Sequence, residues 1–451
     1  MPAPSPDPTL PAPPGDGPLR VAFSGGLDST VLLHLLAHDP RVRARGLIAL
    51  HVHHGLQPQA DAWAAHCEAA CAALDVRCEV LRVTVVRDGG RGLEAAAREA
   101  RHAALRAQLP PGAVAVFAHH RDDQAETVLL RALRGSGPDG LAAMRSLRAF
   151  GAGWLWRPLL EVPRAHLLAY AARHGLCWIE DPSNADDAAD RNFLRNRVLP
   201  LLRTRWPQAD GVLAEVAALQ RASVALLDDG DAAALAQART PDPATLGVDP
   251  LRALPPARRA RVLRRWIAAL DLPPLPRQGS AWCEAALQTP AGDRIPQFDW
   301  AGCRLQRWRD LLHAGPQRPS LPRDLDLDWT GSGPLALPGG DRLRLLGPPP
   351  EAPQRWRVRA RRGGERVVLP GRTHSHAPKH VLQDRAVPPW IRARLPLVVD
   401  ADGRLLAAGD VVLDAAFEAW LRDGGFRLRW ERAAAQAGEK AAPSTGDRPP
   451  P

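Results

Sequence analysis

The chain has 451 residues, of which 45% are hydrophobic, and a formal net charge of +10. This length allows about two to four domains with buried cores, and the positive charge favours a polyanionic partner. No apolar run reaches the length of a bilayer span and no secretory signal opens the chain, so we expect no membrane contact. The six cysteines include no Cys-x-x-Cys pair, which favours a reducing cytoplasm and argues against a zinc or iron–sulfur site.

The first informative segment is 19–36, where a short apolar run, the hexapeptide Ser-Gly-Gly-Leu-Asp-Ser and a helical apolar pattern follow one another. It predicts a strand, a tight loop and a helix whose first turn faces the loop. Glycines let backbone amides approach an anion, and the helix amino end adds partial positive charge. Hydroxyls of Ser24, Ser29 and Thr30 can bind phosphate, and Asp28 is placed to hold Mg2+. The predicted nucleotide-binding residues are Ser24, Gly25, Gly26, Leu27, Asp28 and Ser29.

This loop lacks the lysine of the Gly-x-x-x-x-Gly-Lys-Ser/Thr nucleotide loop, which reaches the outer phosphates. A pyrophosphate cradle without that lysine suits cleavage between the α and β phosphates of ATP, which leaves AMP on a substrate. The alternative is a glycine-rich turn that binds nothing, but polar residues of the required types all fall at one strand–helix junction. The hexapeptide resembles the PP-loop of the N-type ATP pyrophosphatases.

Strands and helices alternate along the next part of the chain. Strands are predicted at 46–52, 77–86, 113–118, 154–160 and 177–179, and helices at 61–74, 92–109, from 122, and at 164–174. This order predicts an α/β fold, a Rossmann-like parallel sheet with helices on both faces, whose ligands collect at the carboxyl ends of the strands.

The pattern changes after about residue 207, first to helices rich in Ala, Leu and Arg and then to short strands and turns. We therefore expect several parts beyond the first sheet. The predicted divisions are a disordered leader (1–17), a PP-loop catalytic domain (18–207), a helical domain (208–316), a small α+β domain (330–433) and a flexible tail (434–451).

A second polar cluster spans 118–127. Asp123 and Glu126 are three residues apart and share a helical face, so they can hold an amine or Mg2+, or accept a proton. The alternative is that these acids only cap the helix, but capping leaves the paired His119 and His120 unexplained.

Histidines also gather where the second strand ends. His51, His53 and His54 lie where a purine or ribose would bind in such a sheet. Each of them read singly is an ordinary loop histidine. A zinc site shared with the 119–120 pair is the weaker alternative, because no carboxylate or thiol completes a recognisable spacing.

Arginines form two spaced pairs. Arg98 and Arg101 share a helical face, which is either a solvated, salt-bridged surface or a contact to phosphate or substrate. Arg191 and Arg195 are one helical turn apart and can face a polyanion or a leaving phosphate.

Taken in order, these segments resemble the tRNA(Ile)-lysidine synthetase family, strongly over 19–207 and again at 363–366 and 388–396. Two positions differ, because His53 stands where the family usually has Asn and His102 where it usually has Tyr. The resemblance implies ATP- and Mg2+-dependent adenylation of the wobble cytidine in an isoleucine tRNA with a CAU anticodon. L-lysine then attacks, lysidine forms, and codon recognition changes from AUG to AUA.

The resemblance also implies residue roles. Asp28, Asp123, Glu126 and Arg195 would be catalytic, with Asp28 also the metal ligand and the acid pair holding lysine. His51 and His53 would contact the nucleotide, and Arg98, Arg101 and Arg191 the substrate. The two later domains would bind tRNA.

Three rival functions fit the sequence less well. A tRNA thiolation enzyme needs a cysteine pair, and an amide ligase of the glutaminase type needs a nucleophilic cysteine near the start; the sequence provides neither. A catalytically silent RNA-binding protein would not need Ser24, Asp28, Asp123 and Glu126 together.

Overall fold

The structure is a computed structural model that describes residues 7–85, 93–289, 295–350 and 352–433. It divides into two compact units at 228/229, within the helix Ala209–Ala238. This boundary lies about twenty residues beyond the predicted end of the catalytic domain at 207.

The first unit is built on a six-stranded sheet. Its strands are β1 (Leu19–Ala22), β2 (Leu47–His53), β3 (Arg77–Arg82), β4 (Val114–Val116), β5 (Leu147–Phe150) and β6 (Gly153–Trp156). The order is β3-β2-β1-β4-β6-β5; all neighbours are parallel except β5, which pairs antiparallel with β6 at the edge. The predicted parallel sheet is confirmed.

Helices cover both faces of this sheet. They are α1 (Leu27–Ala37), α2 (Pro40–Arg45), α3 (Ala60–Ala73), α4 (Leu93–Ala107), α5 (Arg121–Leu133), α6 (Pro138–Leu141), α7 (Arg164–Arg173), α8 (Asp190–Phe193), α9 (Leu199–Arg205) and α10 (Ala209–Ala238). A 3-10 turn covers Pro182–Ala185 and a π-helical turn covers Leu194–Val198. One core joins β1 to α1, α3 and α7, and a second joins the sheet to α4. Apolar strands buried on both sides are typical of parallel sheets.

Two predictions for this unit need correction. Segment 177–179 is not a strand, since it makes a single backbone hydrogen bond, from Ile179 N to the Gly25 carbonyl at 2.9 Å. Part of the predicted disordered leader is anchored: Asp7 pairs with Arg173 at 2.6 Å, and Arg45 donates to the Gly17 carbonyl at 2.6 Å. These contacts are polar and long-range, so the Pro-rich composition gave no sign of them.

The second unit begins with the end of α10 and the helices α11 (Val248–Arg252), α12 (Pro256–Ala269) and α13 (Arg277–Gln288). These helices agree with the predicted helical region, but a four-stranded antiparallel sheet packs with them. Its strands are β7 (Thr245–Gly247), β8 (Gln297–Trp300), β9 (Cys303–Trp308) and β10 (Leu311–Pro316). In β9 the alternation of apolar and polar residues that marks a strand is obscured, because one inward-facing residue is Arg307. Its guanidinium donates to the Ala286 and Thr289 carbonyls.

The remainder of this unit is the predicted α+β part. Its strands are β11 (Asp326–Trp329), β12 (Leu335–Ala336), β13 (Arg342–Leu346), β14 (Trp356–Arg359), β15 (Val367–Val368), β16 (Ser375–His376), β17 (Leu397–Val399), β18 (Leu405–Ala408), β19 (Val412–Leu413) and β20 (Arg427–Glu431). Its helices are α14 (Pro378–Asp384), α15 (Pro389–Arg392) and α16 (Ala415–Asp423). The predicted tail, 434–451, lies outside the described residues.

Candidate active site

The loop between β1 and α1 has a geometry that only glycine permits at its centre. Gly25 has φ of +79°, in the left-handed region. A Cβ atom there would lie 2.6 Å from Ile179 Cδ1 and 2.9 Å from Cys67 Sγ. At Gly26 the nearest such neighbour is Ser24 Oγ at 3.5 Å, so this side of the loop is open. The Gly26 amide donates to Ser24 Oγ at 3.4 Å on this open side, and the binding of an anion by the loop amides stays a prediction.

The hydroxyls of the loop divide into two groups. Ser24 is exposed, and its Oγ lies 3.0 Å from Ser29 Oγ, which donates to the Gly26 carbonyl at 3.0 Å. Thr30 points inward and donates to the Gly25 carbonyl at 3.3 Å, so it braces the loop instead of facing phosphate. The Leu27 side chain belongs to the core, which leaves only its backbone for a ligand.

Asp28 stands in the first turn of α1 beside this opening. Its Oδ2 lies 3.5 Å from His120 Nε2, and its Oδ1 lies 3.7 Å from Arg164 Nε. That Oδ1 is buried and accepts no hydrogen bond. The described residues contain no group of three or more His, Cys, Asp or Glu side chains that could hold a metal ion. One orphaned carboxylate oxygen fits Mg2+ shared with substrate phosphates.

The amino end of α5 brings His120 and Asp123 to Asp28. The backbone N–H of His120 donates to Asp123 Oδ2 at 3.0 Å. The helix-capping alternative is therefore correct for one oxygen of the Asp123 carboxylate. Burial opposes protonation of His120, but Asp123, Asp28 and Asp122 outweigh it and raise the imidazole pKa. Burial likewise opposes ionisation of Asp123, but His120, Arg191 and His119 lower its pKa.

Glu126 and the second oxygen of Asp123 are held by two arginines. Arg191 donates from Nε to Glu126 Oε2 at 2.7 Å and from Nη2 to Asp123 Oδ1 at 2.8 Å. Arg195 donates from Nε to Glu126 Oε1 at 2.6 Å and from Nη2 to Asp123 Oδ1 at 3.1 Å. We call these four residues the acid–arginine cluster. The two arginines, expected to face a phosphate, balance two buried carboxylates in this structure.

The π-helical turn explains how both arginines reach the acids. Arg191 lies on α8 and Arg195 on the wider turn that follows it. Inserted π turns are frequent at functional sites because they redirect side chains. Burial lowers the pKa of Arg195, but Glu126, Asp123 and Asp28 raise it overall, which places Asp28 within the electrostatic reach of the cluster.

The strand-end histidines differ in availability. His51 is buried, its Nδ1 lies 3.0 Å from the Phe23 carbonyl, and burial lowers its pKa. His53 is also buried, with Nε2 3.2 Å from Asp61 Oδ1. His54, the third histidine of the predicted group, has a buried Nδ1 with no hydrogen-bond partner, and Arg101 Nε donates to its Nε2 at 3.4 Å.

Two further basic side chains at this edge were missed. Arg157 follows β6 directly, is 6% exposed, and donates from Nε to His119 Nδ1 at 3.2 Å. Burial, followed by Arg148 and Arg98, lowers the pKa of Arg157 to about 10. Arg164 opens α7 beside Asp28. A polar residue at the end of a parallel strand was the available signal, and it was not applied to β6.

Three features meet at one edge of the sheet: the open glycine loop after β1, the Asp28 oxygen without a hydrogen bond, and the charged amino end of α5. Together they define a PP-loop nucleotide-binding protein. Residues 9–202 match the model of the PP-loop domain. Residues 246–313 match the TilS substrate binding domain and 356–430 the TilS substrate C-terminal domain.

Full-length relatives narrow this class to one family. The chain is 52% identical to the tRNA(Ile)-lysidine synthase of Xanthomonas axonopodis pv. citri, covering 95% of this chain and 97% of the relative. It is 52% identical to the enzyme of that name from Xylella fastidiosa, covering 95% and 98%, and 43% identical to that from Pseudomonas aeruginosa, covering 91% and 92%. The chain belongs to the tRNA(Ile)-lysidine synthase family. Within the described ranges, no helix is long and apolar enough to cross a bilayer.

Proposed function

We propose that this protein joins L-lysine to the wobble cytidine of an isoleucine tRNA with a CAU anticodon, using ATP. The cytosine O2 attacks the α phosphate and pyrophosphate leaves. The lysine side-chain amine then attacks C2, a C–N bond forms, the C2–O bond breaks and AMP leaves. The observation that carries the proposal is a continuous set of contacts at the carboxyl edge of the sheet. It runs from Asp28 through His120 to Asp123, and two arginines, Arg191 and Arg195, join Asp123 to Glu126.

The loop amides, with the hydroxyls of Ser24 and Ser29, would bind the triphosphate. Asp28 would hold Mg2+ through its unpartnered Oδ1, and the ion would supply charge neutralisation as pyrophosphate departs. The buried His51 and His53 would line the adenosine side of this pocket. Free thiols throughout the described cysteines fit the reducing cytoplasm that we propose as its compartment.

Lysine binding at Asp123 and Glu126 needs a change in the acid–arginine cluster. Both carboxylates already accept hydrogen bonds from two guanidiniums, so an ammonium group has no unpaired negative charge to meet. Arg195 is within electrostatic reach of Asp28. We propose that Arg195 moves toward the triphosphate once ATP is bound, and that the lysine ammonium takes its place on Glu126.

Calorimetry tests this order of binding. Lysine affinity is measured with and without a non-hydrolysable ATP analogue, and we expect at least about tenfold tighter binding with it, which corresponds to about 1.4 kcal/mol of coupling. Equal affinities would contradict the exchange.

The activity itself is tested with labelled lysine, ATP, Mg2+ and two tRNAs that share the CAU anticodon. Label should enter the isoleucine tRNA and not the methionine tRNA, and an Asp28→Ala variant should lose it. A matched control, Asp39→Ala, removes a carboxylate that caps α2, beyond the carboxyl end of α1, and pairs with Arg41; it should retain labelling. Absence of label in both tRNAs, with ATP still bound, would refute the proposed reaction.

A further inference from the structure

Three arginines lie on the α4 side of the sheet, beyond the active-site edge. Arg98 and Arg106 are on α4, and Arg148 is on the edge strand β5. We call them the α4 arginine patch. Arg106 and Arg148 share one aromatic ring, because their Cζ atoms lie 5.2 and 5.3 Å from the centroid of Phe150. Phe150 is 2% exposed, so its ring belongs to the core while the guanidiniums lie at the surface.

The patch concentrates positive charge. Burial lowers the pKa of Arg148, and Arg106 and Arg98 lower it further, so the three groups act on one another. Burial, followed by Arg98 and Arg148, also lowers the pKa of the adjacent His102 to about 4, so it is neutral at pH 7. Among the described residues, no carboxylate lies within ion-pair distance of Arg106 or Arg148.

Like charges in mutual range destabilise the folded state unless an anion compensates them. The Phe150 ring contributes a cation–π contact to each of these two guanidiniums. That contribution fixes the directions of Arg106 and Arg148 but leaves their net charge unchanged. Because Arg106 and Arg148 are held in place and, among the described residues, have no carboxylate partner, this surface is suited to an external anion.

The length of the patch identifies the kind of anion. Arg98 and Arg106 are eight residues apart on α4, which is about 12 Å along the helix axis. Successive phosphates of a nucleic acid can span this length. The patch also adjoins the active site, since Arg157 at the end of β6 is within electrostatic reach of both Arg98 and Arg148. The backbone of an RNA strand that enters the site can therefore continue along α4.

We propose that Arg106 and Arg148, together with Arg98, bind backbone phosphates of the tRNA substrate adjacent to the nucleotide in the active site. This inference rests on the proposed function and extends it to positioning residues outside the catalytic edge. Phosphate contacts set the register of a nucleic acid without reading its sequence. The patch should accordingly contribute equally to the binding of isoleucine and methionine tRNAs.

The test is filter binding of the full-length protein to both tRNAs over a range of KCl concentrations. Arg106→Gln and Arg148→Gln should each weaken both complexes to the same extent and lower the slope of log K against log[KCl] by about 1, and the double variant by about 2. Arg106→Lys and Arg148→Lys retain the charge and should restore the slope. Binding of ATP without RNA confirms that each variant is folded.

Arg77→Gln provides a matched control. Arg77 is an exposed arginine at the start of β3, at the opposite edge of the same sheet, and its loss changes the net charge equally. Its affinity and salt slope should equal those of the wild type. An unchanged slope in the double glutamine variant would overturn the patch proposal, as would an equal loss in Arg77→Gln. If the wild type binds tRNA but attaches no lysine, the proposed reaction is refuted. The patch proposal is then still decided by the salt slopes of the arginine variants.

Discussion

The acid–arginine cluster predicts a measurable loss of stability in Glu126→Gln. The Glu126 side chain is 2% exposed and accepts hydrogen bonds from Arg191 Nε at 2.7 Å and from Arg195 Nε at 2.6 Å. Glutamine keeps the shape but removes the negative charge and turns an NH2 group toward guanidinium donors. Two arginines would then share the single charge of Asp123.

The size of the effect follows from the exposure of the partners. Breaking a buried ion pair by removing one member costs about 3–5 kcal/mol. The side chains of Arg191 and Arg195 are 24% and 35% exposed, so solvent screens part of that loss. We expect about 1.5–3 kcal/mol. For a unit of roughly 150–250 residues, 1 kcal/mol shifts Tm by about 2–4 °C, so Tm should fall by about 3–12 °C.

Differential scanning calorimetry of the full chain measures this change in the transition of the first unit. Asp190→Asn is the control, because Asp190 pairs with Arg134 at 2.9 Å while both side chains are more than 60% exposed. Such a pair contributes about 0–1 kcal/mol. A Tm for Glu126→Gln equal to that of Asp190→Asn would refute the reasoning and show that the arginines find other partners without loss.

Three other predictions use the same preparations. Gly25→Ala should lower Tm and ATP affinity more than Gly46→Ala, because both sites have positive φ but only Gly25 lacks space for a Cβ; equal losses would contradict this. Because the folded protein lowers the pKa of Asp123, the ionised carboxylate stabilises the fold above about pH 4, and this contribution is lost on further acidification. The Tm advantage of the wild type over Asp123→Asn should therefore shrink from pH 5 to 2.5. A constant Tm advantage over this range would contradict the stabilising role of the Asp123 charge. Burial raises the pKa of Cys67 to about 12, so iodoacetamide at pH 8 should alkylate exposed Cys177 first, as peptide mass spectrometry can check.

Local pattern was enough to predict the frame of the first unit. The apolar run before residue 24 and the helical pattern after it specify β1, the loop and α1, because burial and glycine conformation act over a few residues. The same reasoning placed α5 and its acids at the correct edge of the sheet. It failed for 177–179, where an apolar tripeptide packs beside the loop without joining the sheet.

The partners of the charged residues were beyond local pattern. Arg195 and Glu126 are 69 positions apart, and their pairing depends on a π-helical turn that no periodicity in the sequence indicates. Charge alone assigned the arginines to phosphate and the acids to an amine. The structure pairs them with each other, a result that requires knowledge of which long-range surfaces are packed together.

This pairing suits a site that must accept substrates of opposite charge. ATP brings several negative charges and lysine a positive one, so two buried acids alone would repel the first and two arginines alone would repel the second. Together, the side chains of Asp123, Glu126, Arg191 and Arg195 are close to neutral. The arginines can turn to the phosphates of ATP while the acids turn to the ammonium group of lysine.

If Arg195 is replaced by methionine, Glu126 loses a partner and its charge is freer for an ammonium group. Lysine should then bind without the ATP analogue more tightly than in the wild type, while the coupling between the two ligands falls; coupling equal to that of the wild type would show that Arg195 does not exchange.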